Sequence, residues 1–398
     1  MSKVISVNSG SSSLKFQLFD MPSETVLTSG QAERIGLPMG AFTIKVNGEK
    51  ITTELPLPDH KTAVELLLKK LIEHGIVKSL DEIQGAGHRI VQGGAYFDQS
   101  AVVDEDVVAK VDELCELAPL HNPAHLVCYR AFKEALPNIG HVFVFDTAFH
   151  QTMEPESYLF PVPYEWYTEH KIRRYGAHGT SHQYVNRRTA ELMGEDYTKL
   201  NMITCHLGNG ASITAIKNGK CINTSMGLTP LGGIMMGTRS GDIDPTVVFY
   251  IMKKLGYTPE DMDTILNKKS GMLGISGISS DARDVQAAVD AGDERAKITV
   301  DLYRNRVVNV IGGYFLELGH VDAIVFTAGL GENDTHMRER ILKGIEEGLG
   351  LSIDYELNAQ IHGKECLISK PDSKIKVYIV PTNEEVMIAR DTCRLLGL

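Results

Sequence analysis

Two arginines stand where chemistry could be done in this 398-residue chain. Arg89 follows Gly87-His88 at the edge of an apolar segment, and Arg239 lies in the glycine-flanked run Gly237-Thr238-Arg239-Ser240-Gly241-Asp242. An arginine so placed ordinarily makes a solvated salt bridge. The alternative is that both guanidiniums converge on one carboxylate or phosphoryl group, whose oxygens match their forked donors. Asp146 ends the apolar run Val142-Phe143-Val144-Phe145, which puts a carboxylate at the carboxyl end of a strand, where open α/β sheets bind ligands. Two histidine pairs, His121/His125 and His178/His182, share a four-residue spacing. Neither has the glutamate of the zinc-protease pattern, and Pro123 and Gly179 are expected to disturb a helix, so a hydrogen-bonding His178 is favoured over metal ligation.

Two further segments could hold an anion. Val4-Ile5-Ser6-Val7 runs into Asn8-Ser9-Gly10-Ser11-Ser12-Ser13-Leu14-Lys15-Phe16, and Met202-Ile203-Thr204-Cys205 runs into His206-Leu207-Gly208-Asn209-Gly210-Ala211-Ser212. Each reads as a β-hairpin with a small polar tip, where glycine lets N–H groups approach a phosphate and Asn, Ser or Lys adds donors. Singly, each is as readily an ordinary turn. Two related tips in the two halves of one chain favour a duplicated nucleotide-binding fold. The chain has neither a G-x-x-x-x-G-K-[ST] loop nor the H-R-D and D-F-G set of protein kinases. Thr327 to Asn333 reads as a strand, a glycine turn and then a helix start suited to a phosphate or ribose.

The elements that must position these residues follow from periodicity. Residues 1 to 55 form strand-like runs punctuated by Gly, Pro and Asn, and helical spacing takes over at Thr62–His74 and Asp104–Leu117. The length suggests two domains, and with no low-complexity linker the boundary falls near residue 150. A formal charge of −11 argues against nucleic acid or anionic membrane as a partner. Six scattered cysteines fit free thiols in a reducing compartment, and with no basic-then-apolar leader or long apolar run the expected location is cytosolic.

In order along the chain, Val7 to Lys15, Gly87-His88-Arg89, Leu117 to Pro123, Asp146-Thr147-Ala148-Phe149-His150, His178 to His182, His206 to Gly210, Gly237 to Asp242 and Pro381-Thr382-Asn383-Glu384-Glu385 resemble the motifs of the acetate kinases. The resemblance spans essentially the whole chain. It implies an α/β, duplicated actin-like (ribonuclease H-like) fold with a nucleotide cleft between two domains, residues 1–150 and 151–385, the terminal helix 386–398 packing back on the first, and a homodimer. The implied reaction is reversible in-line transfer of the ATP γ-phosphoryl group to acetate, giving acetyl phosphate and ADP. By the same resemblance Asn8 and Glu384 hold Mg2+, with Mn2+ as an alternative. Lys15, His206, Leu207, Gly208, Asn209 and Gly210 lie near the ATP phosphates, and Asp281, Ala282, Arg283, Gly329, Leu330, Gly331, Glu332 and Asn333 surround the nucleoside. Arg89 holds the acetate carboxylate, His178 and Arg239 stabilise the phosphoryl group in flight, and Asp146 carries the family's acid/base label. A carboxylate substrate of pKa near ~4 is already ionised at neutral pH and needs no base, so orienting Arg89 or a magnesium-bound water suits Asp146 better.

The family usually has Phe where this chain reads Ala177, in Tyr175-Gly176-Ala177-His178. With Val91, Leu120 and Pro230, that position would wall the pocket for the acetate methyl. A methyl in place of a ring keeps propionate or butyrate as alternative acceptors. The rival from another class is a chaperone-type actin-like ATPase, for which two arginines and a histidine are more than hydrolysis requires.

Overall fold

The computed structural model describes residues 2–119 and 121–398, so Leu120 lies outside the described residues. The chain divides into two compact units, Met1–Phe149 with Asn383–Leu398, and His150–Thr382.

The first unit is built on β1 (Ser2–Gly10), β2 (Ser13–Met21), β3 (Thr25–Glu33), β4 (Gly40–Val46), β5 (Glu49–Leu55), β6 (Ile83–Ile90), β7 (Ala101–Val102) and β8 (Gly140–Phe145), in the sheet order β5-β4-β3-β2-β1-β6-β8-β7. β1 to β5 are an antiparallel meander, β6 and β8 add parallel to β1, and β7 closes the edge antiparallel. The turn joining β4 to β5 is Asn47-Gly48, both at positive φ, the two-residue geometry that matches strand twist. β5, at the open edge, is polar and exposed nearly throughout, which discourages further pairing. Alternation along β8 sends Phe143 and Phe145 toward Leu126 and Tyr129 of the helix Asn122–Ala135, while Val142 and Val144 meet Ile388 of the helix Glu384–Leu396 on the other face. Gly87 lets that last helix come close, since a Cβ there would overlap Thr392 Oγ1.

The second unit repeats the plan. Its strands are β9 (Asn201–Leu207), β10 (Ala211–Lys217), β11 (Lys220–Thr224), β12 (Ala323–Thr327), β13 (Cys366–Leu367) and β14 (Lys376–Ile379), ordered β11-β10-β9-β12-β14-β13. Again an antiparallel meander is followed by two parallel additions and a short antiparallel edge. β9 and β12 are buried along their whole length, as central strands covered on both faces must be.

Several elements differ from the sequence expectation. The helix expected over Asp104–Leu117 runs only Glu105–Glu113 and then breaks into turns. Thr327 leads directly into a short helix, Ala328–Asn333, with no intervening glycine turn. Pro123 and Gly179 do not disturb helices but start them, in Asn122–Ala135 and Gly179–Met193, because first-turn residues need no intrahelical N–H partner. All six cysteines are free thiols, and among the described residues no helix is long and apolar enough to cross a membrane.

Candidate active site

In the first unit, register aligns Val7 with His88 and Ile90 with Phe145, so the carboxyl ends of β1, β6 and β8 share one edge. Asn8, Arg89 and Asp146 meet there. Arg89 Nε and Nη2 donate to the two carboxylate oxygens of Asp146 at 2.9 and 2.6 Å, and Nη1 donates to Asn8 Oδ1 at 3.1 Å. A guanidinium has five N–H donors, so two remain for a ligand. Asp146 is completely buried. Burial opposes the charge on Arg89, but Asp146 and Glu384 outweigh it and raise the guanidinium pKa.

Glu384, the first residue of the last helix, lies 3.8 Å from Arg89 Nε. Burial pushes its carboxyl up to about 7; Arg89 pulls against that rise, and Asp146 and Glu385 add to it. Lys15 faces Asn8 directly across the β1–β2 hairpin and is exposed. The amide oxygen of Asn8 and the carboxylate of Glu384 are hard donors, and carboxylates outnumber cations here, so these residues fit Mg2+. Among the described residues no group of three or more His, Cys, Asp or Glu could hold a metal alone.

In the second unit, Gly208 N donates to Gly210 O at 3.2 Å and closes the tip between β9 and β10. A Cβ on Gly210 would stand 3.2 Å from Arg239 Nη1 and 3.6 Å from His178 Nε2, so both side chains crowd the space that glycine leaves. His178 stacks on His206 with ring centroids 4.1 Å apart. It has φ 60°, a left-handed backbone that a non-glycine residue holds only where its surroundings enforce it. Arg239 Nη1 donates to Pro230 O at 3.3 Å, and among the described residues no carboxylate pairs with the guanidinium. Burial lowers its pKa. A half-buried cation with no counter-charge, beside a histidine and a glycine tip, is arranged for an incoming anion.

A cavity of about 710 Å³ opens in the same unit, lined by Gly208, Asn209, Asp281, Ala282, Arg283, Gly329, Leu330 and Asn333 among others, a size suited to a nucleoside. Asp281 caps the helix Ala282–Asp290 and accepts from Arg283 Nη2 at 2.6 Å, which pulls its carboxyl down to about 2. His206, Leu207, Gly210, Gly331 and Glu332 are not in the lining. Gly331 O accepts from Arg338 Nη1 at 3.1 Å, and Glu332 Oε1 accepts from Ala328 N at 2.7 Å and Thr382 N at 3.1 Å, tying the end of β12 to the segment after β14. Ala177 is buried in the core of this unit with its carbonyl oxygen 3.0 Å from His150 Nε2, and Val91 is buried in the first unit. Gln286, Thr335, His336 and His362 also line the cavity and were not anticipated. Gln286 could have been found three residues along the helix from Arg283; His362 sits in a loop with no pattern to mark it.

The second unit holds an uncompensated guanidinium and a glycine-tipped hairpin beside a nucleoside-sized cavity, and the first holds a carboxylate-braced guanidinium; each is a part that a phosphotransferase for an anionic acceptor uses. The chain belongs to the acetokinase family, whose model matches residues 3–390. It is 55% identical over 398 residues to the acetate kinase of Geobacillus sp. (strain WCH70), covering 100% of both chains. It is 55% identical over 395 residues to that of Bacillus subtilis (strain 168), covering 99% of this chain and 100% of the relative. Among solved structures it is similar to Porphyromonas gingivalis acetate kinase (TM-score 0.95, 46% identity, 100% of both chains). A propionate kinase from Francisella tularensis subsp. tularensis SCHU S4 is also similar (TM-score 0.93, 41% identity, 99% of this chain and 100% of that one). The fold is the duplicated actin-like one.

Proposed function

We propose that the chain transfers the γ-phosphoryl group of ATP to acetate, reversibly, giving acetyl phosphate and ADP. One observation carries the reading: Arg89 is locked by Asp146 in a plane that still offers two donors to a second carboxylate. An acetate oxygen so held attacks the γ-phosphorus, and the bond from that phosphorus to the β,γ-bridging oxygen breaks as ADP leaves. No base is needed, and Asp146 serves by orienting Arg89. Arg239 and His178 stabilise charge on the equatorial oxygens. Gly208 to Gly210 and Lys15 serve the ATP phosphates, and the residues from Asp281 to Arg283 and Gly329 to Asn333 serve the nucleoside. Asn8 and Glu384 would hold Mg2+, which would supply positive charge against the phosphates.

The helix Pro245–Leu255 buries none of its residues, with Phe249 69% and Tyr250 58% exposed. Such an apolar face suits a second copy of the chain, and we assign a homodimer to it. The free thiols suit the cytosol.

The test is a hydroxylamine trap for acyl phosphate, run with ATP, Mg2+ and acids from formate to butyrate. Acetate should give the highest kcat/KM; ATP hydrolysis indifferent to every acid would overturn the reading. Ala177, small where the family usually has a ring, favours propionate as a second acceptor. If Ala177→Phe leaves the acetate-to-propionate ratio unchanged, that second reading is lost.

A further inference from the structure

Ser212 Oγ lies between two histidines, 2.9 Å from His178 Nδ1 and 2.8 Å from His182 Nε2. On its far side His182 Nδ1 lies 2.7 Å from Thr204 Oγ1. A hydroxyl has one proton, so to make both bonds Ser212 must donate to one ring and accept from the other. A neutral imidazole carries one N–H. The tautomers of His178 and His182 are therefore coupled, and only two orders of donors are open to the chain of contacts.

Thr204 chooses between them. It is completely buried, and among the described residues its Oγ1 has no second hydrogen-bond partner. If His182 Nδ1–H donated to it, the threonine proton would be left without an acceptor in the interior, which native structures avoid. In the opposite order every proton is used. Burial holds the pKa of His182 well below its usual value, which keeps that ring neutral and the order intact.

We propose that Thr204, His182 and Ser212 form a one-way hydrogen-bond chain that fixes His178 as the Nε2–H tautomer. Thr204 donates to His182 Nδ1, His182 Nε2–H donates to Ser212, and Ser212 donates to His178 Nδ1. The remaining N–H of His178 then points from the ring edge that, with Arg239 Nη1, borders Gly210. His178 thus offers a donor without taking up a proton, and the three residues behind it are positioning residues. The inference deepens the phosphoryl-transfer reading, on which the role of His178 rests.

Ring 15N shifts of histidine-labelled full-length enzyme test it, with His178 assigned by the signal lost in His178→Gln. Wild type should show His178 and His182 each as a single Nε2–H tautomer. Thr204→Val should turn both into averaged mixtures and lower kcat by roughly three- to tenfold, short of the ~10²-fold or greater cost of deleting a charge-stabilising donor, with KM for ATP unmoved. Thr204→Ser, which keeps the hydroxyl, should restore both readouts; Ser212→Ala should release His178 alone and serves if the valine variant does not fold. Protonation of His178 at Nδ1 in wild type, or unmoved ring shifts in Thr204→Val and Ser212→Ala, would overturn the proposal. Shifts that move as expected with kcat unchanged would overturn the role of His178 in transfer and leave the hydrogen-bond order standing.

Discussion

The two units have the same strand plan but opposite electrostatics at the corresponding edge. In the first, Arg89 is the penultimate residue of β6 and β8 runs into Asp146, and the cation is closed by a bidentate partner, an amide and a nearby glutamate. In the second, β12 ends in Thr327 and β14 is followed by Val380-Pro381-Thr382; the cation is Arg239, delivered by a loop and left unpaired among the described residues. Duplication copied the scaffold, and the chemistry diverged in the residues at the strand ends. A closed cation is a rigid template for a stable anion such as a carboxylate. An open one is kept for charge that exists only in passing.

The sharpest way to break this contrast is to delete each arginine and measure activity and stability together. Arg239→Ala should lower kcat on the order of 10³-fold or more, as loss of a transition-state arginine does, with KM for ATP little changed. Because no ion pair is lost, its urea midpoint should stay at or above that of wild type. Arg89→Ala should also abolish turnover, but it strands the buried Asp146 and should cost about 3–5 kcal/mol of stability. Equal destabilisation in the two variants would mean that the cations are not differently held. Arg89→Lys separates charge from fork: acetate KM should rise steeply, since one ammonium cannot replace the bidentate plane.

Gly210→Ala probes the open site alone. Gly210 is not at positive φ, so the added methyl brings no backbone strain; it meets Arg239 Nη1 at 3.2 Å and must displace it. A shift of a few tenths of an ångström should lower kcat about tenfold, less than the ~10²-fold attached to a full ångström, at unchanged melting temperature. An unaffected kcat would show that Arg239 has slack and is not preorganised.

Much of this was legible in the residues, for identifiable reasons. Asp146 and the glycine tips announce themselves because strand ends and small polar turns have local signatures. The Asn-Gly pairs at 47–48 and 218–219 mark two hairpins just as locally. What was not legible is long-range. Glu332 sits in the expected segment, yet its side chain turns to the backbone of Thr382, 50 residues away. Nor does spacing reveal that Ser212 joins His178 to His182, because a hairpin strand and a helix start meet only when the sheet forms.

The smallest expected effect also concerns histidines and lies in the first unit. His88 Nε2 and His141 Nδ1 are 3.0 Å apart in an aromatic surround of Tyr129, Phe132 and Phe143. Burial pushes His141 down to about 4 and His88 well below its usual value, so both rings stay neutral when folded. Unfolded, each takes up a proton near pH 6.5, so their contribution is intact above that pH and is lost as pH falls from 6.5 through about 4. Each pH unit of the window removes about 1.4 kcal/mol per ring, on the order of 3 kcal/mol for His141 in full. His141→Gln, which keeps a polar partner for His88, should lower the slope of unfolding free energy against pH by about 1.4 kcal/mol per pH unit in urea titrations between pH 6.5 and 4.5. The second unit offers the control: His182 is equally buried, so His182→Gln should flatten the same window while also lowering kcat, because its ring bonds Ser212, which in turn bonds His178.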